Sequence, residues 1–353
     1  MSSLHASYPW LSPSHPPVIS APMMKITMSA LALAVSRSGG FGFLAAGFDL
    51  SPLSSDLAEA ASLHEASPIP NALSDLLPIG VGFQNWGSDL DLAVAALQEH
   101  PVAAVWFFAP KQLADLVPWT KKVREVSGGR TKVWIQVGTV AEALEVAKTS
   151  RPDVLVLQGA DSGGHGLAQR ASIVTLLPEV SDALKAEGIQ IPLIAAGGIV
   201  DGRGAAAALA LGADGICLGT RFLACEEAVI AKGYQDEVVR VGDGGVSTVP
   251  TKVYDVVRGI KGWPAAYIGR GVANRSYLDN LAGMEDAENE ARYKETMKMG
   301  DEGWGPEGRM TTYAGTGVGL IMGVKSAADI VEEVRSDAVR ILQERSRRWD
   351  KAS

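Results

Sequence analysis

From residue 17 to residue 220 the chain alternates short apolar, β-branched runs with alanine- and leucine-rich stretches of helical period. The runs are "PVIS" (17–20), "FGFLAA" (41–46), "PIGVGF" (78–83), "AAVWFF" (103–108), "KVWIQV" (132–137), "DVLVLQ" (153–158), "IPLIAAGG" (191–198) and "DGICLGT" (214–220). Between them lie segments with a 3.6-residue period, such as "DLDLAVAALQEH" (89–100), "VAEALEVAKT" (140–149) and "IVTLLPEVSDALKAEG" (173–188). Strand-length runs that are apolar throughout, separated by helices, imply a parallel sheet buried on both faces. Eight such β-then-α units is the count of a (β/α)8, or TIM, barrel. An open doubly wound sheet would have fewer strands and a glycine-rich turn directly after its first strand. Here the first run leads into "APMMKIT", and the glycine-rich strand ends come late.

The pattern divides the chain into four parts: an N-terminal tail (1–16), the barrel (17–232), an inserted segment (233–312), and a returning loop and helix (313–353). The tail, "MSSLHASYPWLSPSHPP", is polar and proline-rich and reads as mobile, with no apolar core behind a basic start. The insertion after the last barrel strand carries "RVGDGGVSTVP", "RGIKGWPAAYIGRG" and a charged helix over 284–300. It reads as a cap folded over one end of the barrel. Its aromatics Tyr254, Trp263, Tyr267, Tyr277 and Tyr293 are candidates to cover a flat cofactor and touch a substrate. A last amphipathic helix, from Ala327 to about Arg345, is expected to close the outer ring.

Composition narrows the function. A net charge of −8 and the lack of a basic run with interleaved aromatics argue against a nucleic-acid surface. Two cysteines, Cys217 and Cys225, make no disulfide framework and read as small core residues. The longest apolar stretch is broken by Asp214 and is too short for a membrane span. A cytoplasmic protein acting on small molecules is the expectation, with the oligomeric state left open.

In a barrel of this kind the chemistry sits at the carboxyl ends of the strands, and the last two loops often hold a phosphate. Those loops are "AAGGIVDGRG" (195–204) and "LGTRF" (218–222). Gly197, Gly198, Gly219 and Thr220 offer backbone N–H groups without bulky side chains, plus one hydroxyl. Such amides, helped by the start of the following helix, form an anion nest. Beside them, after the sixth strand, lies "QGADSGGHG" (158–166), in which glycines crowd around His165. Gly163 and Gly164 would let a flat ligand approach closely, and an imidazole exchanges protons near neutral pH. A histidine that merely caps loop carbonyls explains neither the glycines nor the location. His5 and His15 lie in the tail, and His64 and His100 near helix ends. None shares a metal-ligand spacing with His165, so no metal is expected. The absence of G-x-S-x-G argues against a serine hydrolase.

"SAPMMKITMSALALAVSRSGGFGFLAAG" (20–47), "DSGGHG" (161–166) and "AAGGIVDGRGAAAALALGADGICLGTRFLACEEA" (195–228) together resemble the nitronate monooxygenases, formerly 2-nitropropane dioxygenases. The resemblance runs, with gaps, from about Val18 to the C-terminal helix. It implies a barrel holding one non-covalent FMN, with O2 as oxidant. It further implies that Pro22, Met23 and Met24 line the flavin ring, that Gln84 and Gln136 face its polar end, and that Gln158, Gly163 and Gly164 flank it. Gly197, Gly198, Gly219 and Thr220 would hold the phosphate, and His165 aligns with the catalytic base.

The function expected is therefore FMN-dependent oxidative denitrification of alkyl nitronates or nitroalkanes. The alternative is an FMN-dependent NAD(P)H enoyl-thioester (enoyl-acyl-carrier-protein) reductase, or a related flavin oxidoreductase of specialised metabolism. A non-redox barrel binding a phosphorylated metabolite is a third reading, and a scaffold without activity a fourth.

Overall fold

The computed structural model describes residues 3–350. Eight parallel strands close into a barrel: β1 (Val18–Ser20), β2 (Phe41–Gly47), β3 (Leu77–Gln84), β4 (Val102–Phe108), β5 (Lys132–Val137), β6 (Val154–Gln158), β8 (Leu193–Ala196) and β9 (Gly215–Leu218). Closure is made by β1 against β9, with Val18 opposite Ile216 and Ser20 opposite Leu218. The remaining strand in this stretch, β7 (Gly164–Leu167), leaves the barrel and joins a three-stranded antiparallel sheet with β11 (Tyr267–Val272) and β10 (Thr248–Thr251).

Local chemistry sets several helix starts. Asp89 accepts hydrogen bonds from the N–H groups of Asp91 and Leu92 at the head of Leu90–Glu99. Thr139 accepts from the Glu142 N–H at the head of Val140–Thr149. The last helix, Ala327–Asp350, runs farther than its apolar pattern suggested. It packs against Gly202–Ala210 and Ser29–Arg37 and so completes the outer ring. Cys217 and Cys225 are both buried. Among the described residues, no helix is long and apolar enough to cross a membrane.

The barrel is filled rather than hollow. Phe41, Phe43, Trp106 and Trp134 are fully buried and meet at ring distances of 4.7–6.0 Å. Below them the structure departs from the expected mobile tail. Leu4, Tyr8, Trp10 and Leu11 are buried, and the Tyr8 ring lies 4.5 Å from that of Phe41. The Tyr8 hydroxyl accepts a hydrogen bond from Trp134 Nε1 at 2.7 Å. Burial raises this phenol far above its ordinary pKa. His5 and His15 both bond to Ser12, through its carbonyl and hydroxyl oxygens. The segment plugs the amino end of the barrel because four large apolar side chains, too scattered to show a period, share one destination.

"GGHG" differs from expectation too. Its last three residues begin strand β7 rather than lying in a loop, with His165 opposite Gly269 and Gly164 opposite Arg270. Glycine and histidine have little intrinsic preference for strands; the pairing comes from a partner about a hundred residues later in the chain.

Candidate active site

At the carboxyl ends of the barrel strands two adjoining cavities, of about 350 and 80 Å³, share Ala21, Gln136, Gln158, Gly163, Gly219 and Thr220. The larger is also lined by Pro22, Met23, Met24, Gln84, Gly164 and His165, and the smaller by Gly197 and Gly198. Every residue expected from the sequence to touch the cofactor, and His165 with them, therefore borders one of these two adjoining cavities.

The small cavity is walled by glycine backbone. Gly197 and Gly198 have φ of +104° and +76°, which L side chains rarely adopt. A Cβ on Gly198 would also stand 2.8 Å from Asp161 Cβ. Gly219 is different: its nearest neighbour to such an atom is Ala21 Cβ, 3.7 Å away. Two further glycines, Gly315 and Gly317, complete the wall from a distant part of the chain. The expected help from a helix start is not there. The helix after β9 is only Thr220–Leu223, and the amides leading Gly202–Ala210 are already bonded to the Asp201 carboxylate. Loop amides and the Thr220 hydroxyl, which accepts from the Gly315 N–H at 3.0 Å, are the donors that remain.

In the large cavity the glutamines divide their bonds. Gln136 Oε1 accepts from Trp106 Nε1 at 3.0 Å, and Gln158 Nε2 donates to the His165 carbonyl at 3.0 Å. Gln84 Oε1 is buried with no protein partner among the described residues. An orphaned acceptor in a cavity wall costs about 1–3 kcal/mol unless something in the cavity donates to it.

Residues between 234 and 313 supply the roof. Tyr234, Arg258, Ile260, Trp263, Tyr293, Trp304 and Tyr313 all face the large cavity. Of the five cap aromatics named from the sequence, Trp263 and Tyr293 line it. Tyr254 is instead fully buried, with its hydroxyl donating to the Val272 carbonyl, and Tyr267 packs edge-on to Phe108. Tyr277 N–H bonds to the Asn274 side chain at the start of a helix. None of these three lines the cavity.

His165 stands where strand ends and roof meet, its side chain 9% exposed. Its Nε2 lies 2.9 Å from both carboxylate oxygens of Asp255. The Trp263 ring stacks on the imidazole at 3.8 Å and 3°. Asp255 Oδ1 also accepts from the Tyr313 hydroxyl at 3.2 Å, and burial together with that carboxylate raises the Tyr313 pKa far above the phenol range. The Arg258 guanidinium lies 5.3 Å from the Tyr313 ring centre. Asp255, Tyr313 and Arg258 were not singled out from the sequence. They lie 90 or more residues beyond His165, at no spacing that marks a motif. The one available signal was an acid and an arginine three apart, Asp255 and Arg258, inside a segment already read as a cap.

A closed parallel barrel with a cavity at the carboxyl ends of its strands and a histidine–carboxylate pair at the rim defines a (β/α)8-barrel enzyme. Comparison with known proteins gives the family. The family model described as nitronate monooxygenase matches residues 94–337. The nitronate monooxygenase npaC of Metarhizium robertsii is 52% identical over 344 residues, covering 96% of this chain and 95% of that protein. A nitronate monooxygenase of Neurospora crassa is 37% identical over 359 residues, covering 96% and 92% respectively. Among solved structures, FabK from Thermotoga maritima superposes with a TM-score of 0.73 at 25% identity, covering 100% of this chain and 99% of that one. The chain belongs to the nitronate monooxygenase family and is an enzyme of that class.

Proposed function

We propose that the chain oxidises alkyl nitronates and nitroalkanes with O2, using one bound FMN, and that His165 is the base for neutral substrates. The observation that carries this reading is the position of His165. It borders the large cavity between the barrel's glycine-walled end and an aromatic roof, with one ring nitrogen held by a buried carboxylate.

The residues present fit a flat, phosphorylated group. The small cavity has the glycine walls and free loop amides that a phosphate needs, at Gly197, Gly198, Gly219 and Thr220. Gln84 holds an unused acceptor of the kind an imide N–H completes. Pro22, Met23 and Met24 supply apolar wall on one side, and Gln136, Gln158, Gly163 and Gly164 line the other. When bound there, FMN would supply the redox chemistry that links the substrate to O2.

The chain's own part is binding, orientation and proton transfer. Trp263 and Tyr293 line the roof of the cavity, where a substrate would meet them. His165 takes the α-proton of a neutral nitroalkane. A nitronate has already lost that proton and asks only for placement and a complementary charge.

The test is direct. The purified protein should be yellow with a flavin spectrum, and O2 uptake should follow addition of a nitronate or a nitroalkane. A colourless protein that binds no FMN sinks the reading. Rapid anaerobic bleaching by NADPH, without oxidation of any nitro compound, moves it to the enoyl-thioester reductase.

A further inference from the structure

His165 has two ring nitrogens, and only Nε2 has a protein partner among the described residues: the Asp255 carboxylate, 2.9 Å away through both oxygens. An ionised carboxylate has no proton to give, so the proton of that bond must sit on Nε2. The lone pair of a neutral imidazole then belongs to Nδ1, on a residue that lines the large cavity. The ring cannot easily turn away from this arrangement. Trp263 covers one face at 3.8 Å, and Gly269 of β11 lies beneath, where a Cβ would come within 3.3 Å of Nε2. The carboxylate is itself held: the Tyr313 hydroxyl donates to Oδ1 at 3.2 Å, and Asp255 sits in the short helix Val253–Val257, with its side chain 12% exposed.

We propose that Asp255 is the positioning residue of the reaction, resting on His165 being the base under the proposed function. It holds the imidazole proton on Nε2, presents Nδ1 to the substrate, and supports the imidazolium formed in the step. The α-proton of the nitroalkane passes to Nδ1, and the C–H electron pair stays on the substrate, which becomes the nitronate anion. The ring then carries two protons and one positive charge, with Nε2–H still against the carboxylate. That charge lies beside the anion it has just created. Asp255 touches neither substrate nor cofactor; it acts through His165. The roof thus supplies half of the proton-transfer device, while the strand carrying His165 emerges from the barrel.

Two measurements test the assignment, one of them independent of turnover. With 15N-histidine in the holoenzyme, long-range proton–nitrogen correlations report which ring nitrogen is protonated; the His165 signal is the one lost in His165→Asn. Wild type should carry its proton on Nε2. In Asp255→Asn an amide N–H can donate to Nε2, which drives the proton to Nδ1. In kinetics, Asp255→Asn should lose about 10²–10⁴-fold in kcat/KM for a neutral nitroalkane, the range of a positioned base. Its loss on the pre-formed nitronate should be below about ten-fold on the same grounds. Asp255→Glu should recover much of the difference, because it keeps the charge. A proton on Nδ1 in wild type overturns the proposal even if Asp255→Asn does not fold. Equal losses on both substrates also overturn it, making Asp255 a brace for the roof. If wild type oxidises no nitro compound but the proton still moves from Nε2 in Asp255→Asn, the pair stands and the assigned reaction falls. If the nitro activity is present but the tautomer ignores residue 255, the reaction stands and the pair falls.

Discussion

The barrel and its roof are held together in different ways. Inside the barrel, Phe43, Trp106 and Trp134 pack ring against ring with aliphatic strand residues around them. Such packing is non-directional and scales with area removed from water. The roof has a smaller apolar cluster, around Val238, Val241, Val272 and Val318, and adds to it a buried network of directional polar bonds. The buried Arg309 guanidinium pairs with Asp279 and donates to Asn289 Oδ1 at 3.2 Å. Asn289 Nδ2 donates to the Ser276 carbonyl at 2.8 Å, and Asn274 Nδ2 to the Arg309 carbonyl at 2.7 Å. A region built on apolar area absorbs substitution by repacking. One built on a buried ionic network holds a single arrangement and loses it when a member is removed. Under the proposed function, the contrast suits a division of labour in which the barrel would hold the cofactor and the roof would decide what reaches it.

The sharpest break between the two regions is expected at His165, where they meet. His165→Asn keeps a polar side chain but no base near neutral pH. It should cost about 10²–10⁴-fold with a neutral nitroalkane, and much less with the nitronate, in steady-state O2 uptake. Flavin content should not change. Equal losses on the two substrates would return the histidine to the binding surface.

Next in size is Asp279→Ala, which strands the buried Arg309 charge. Removing one partner of a buried pair costs about 3–5 kcal/mol. Thermal or urea unfolding should show it as lost stability, with nitro activity falling while FMN remains bound. If FMN leaves with the activity, the roof holds the cofactor as much as the barrel does.

Gly219→Asp probes the barrel end. Its Cβ would make only an ordinary contact, with Ala21 Cβ at 3.7 Å, so folding should survive, while its carboxylate repels a phosphate bound by the loop amides. Loss of flavin absorbance with unchanged circular dichroism is expected. The same change at Gly198 is a poorer test, because φ of +76° and the contact with Asp161 strain any side chain there. Full FMN occupancy in Gly219→Asp would place the phosphate elsewhere.

The smallest effects separate plug from roof. Tyr8→Phe leaves Trp134 Nε1 buried without its acceptor, a cost of about 1–3 kcal/mol in stability. Relative rates across a substrate series should not move. Trp263→Ala should do the reverse, altering relative rates several-fold, because Trp263 lines the cavity. Unaltered ratios in Trp263→Ala would reduce the roof to a cover.

These differences also explain what could be read in the amino-acid order. The barrel strands were legible to within two residues at most ends, since runs such as "AAVWFF" are apolar on both faces and have few alternatives to a buried parallel strand. The late glycine loops and His165 were legible because function at strand ends follows from the barrel itself. Strand β7 was not, since "GHGL" has no strand preference until Tyr267–Val272 lies beside it. The plug was misread because Leu4, Tyr8, Trp10 and Leu11 are spaced irregularly among polar residues and prolines. Asp255, Tyr313 and Arg258 were hidden by distance: a carboxylate 90 residues from a histidine looks like any surface acid until the chain folds.

Strand β7 belongs to the barrel by chain order and to the roof by its hydrogen bonds. That dual membership sets the unit of exchange for anyone recombining this enzyme with its relatives. A graft that swaps residues 233–312 alone would lay a foreign β11 against the resident "GHGL", and the ladder that seats His165 opposite Gly269 would depend on a match no one had chosen. The natural cassette is discontinuous: the histidine strand, the roof and the Gly315–Gly317 stretch that walls the small cavity should travel together, and what stays behind is a barrel with an open end.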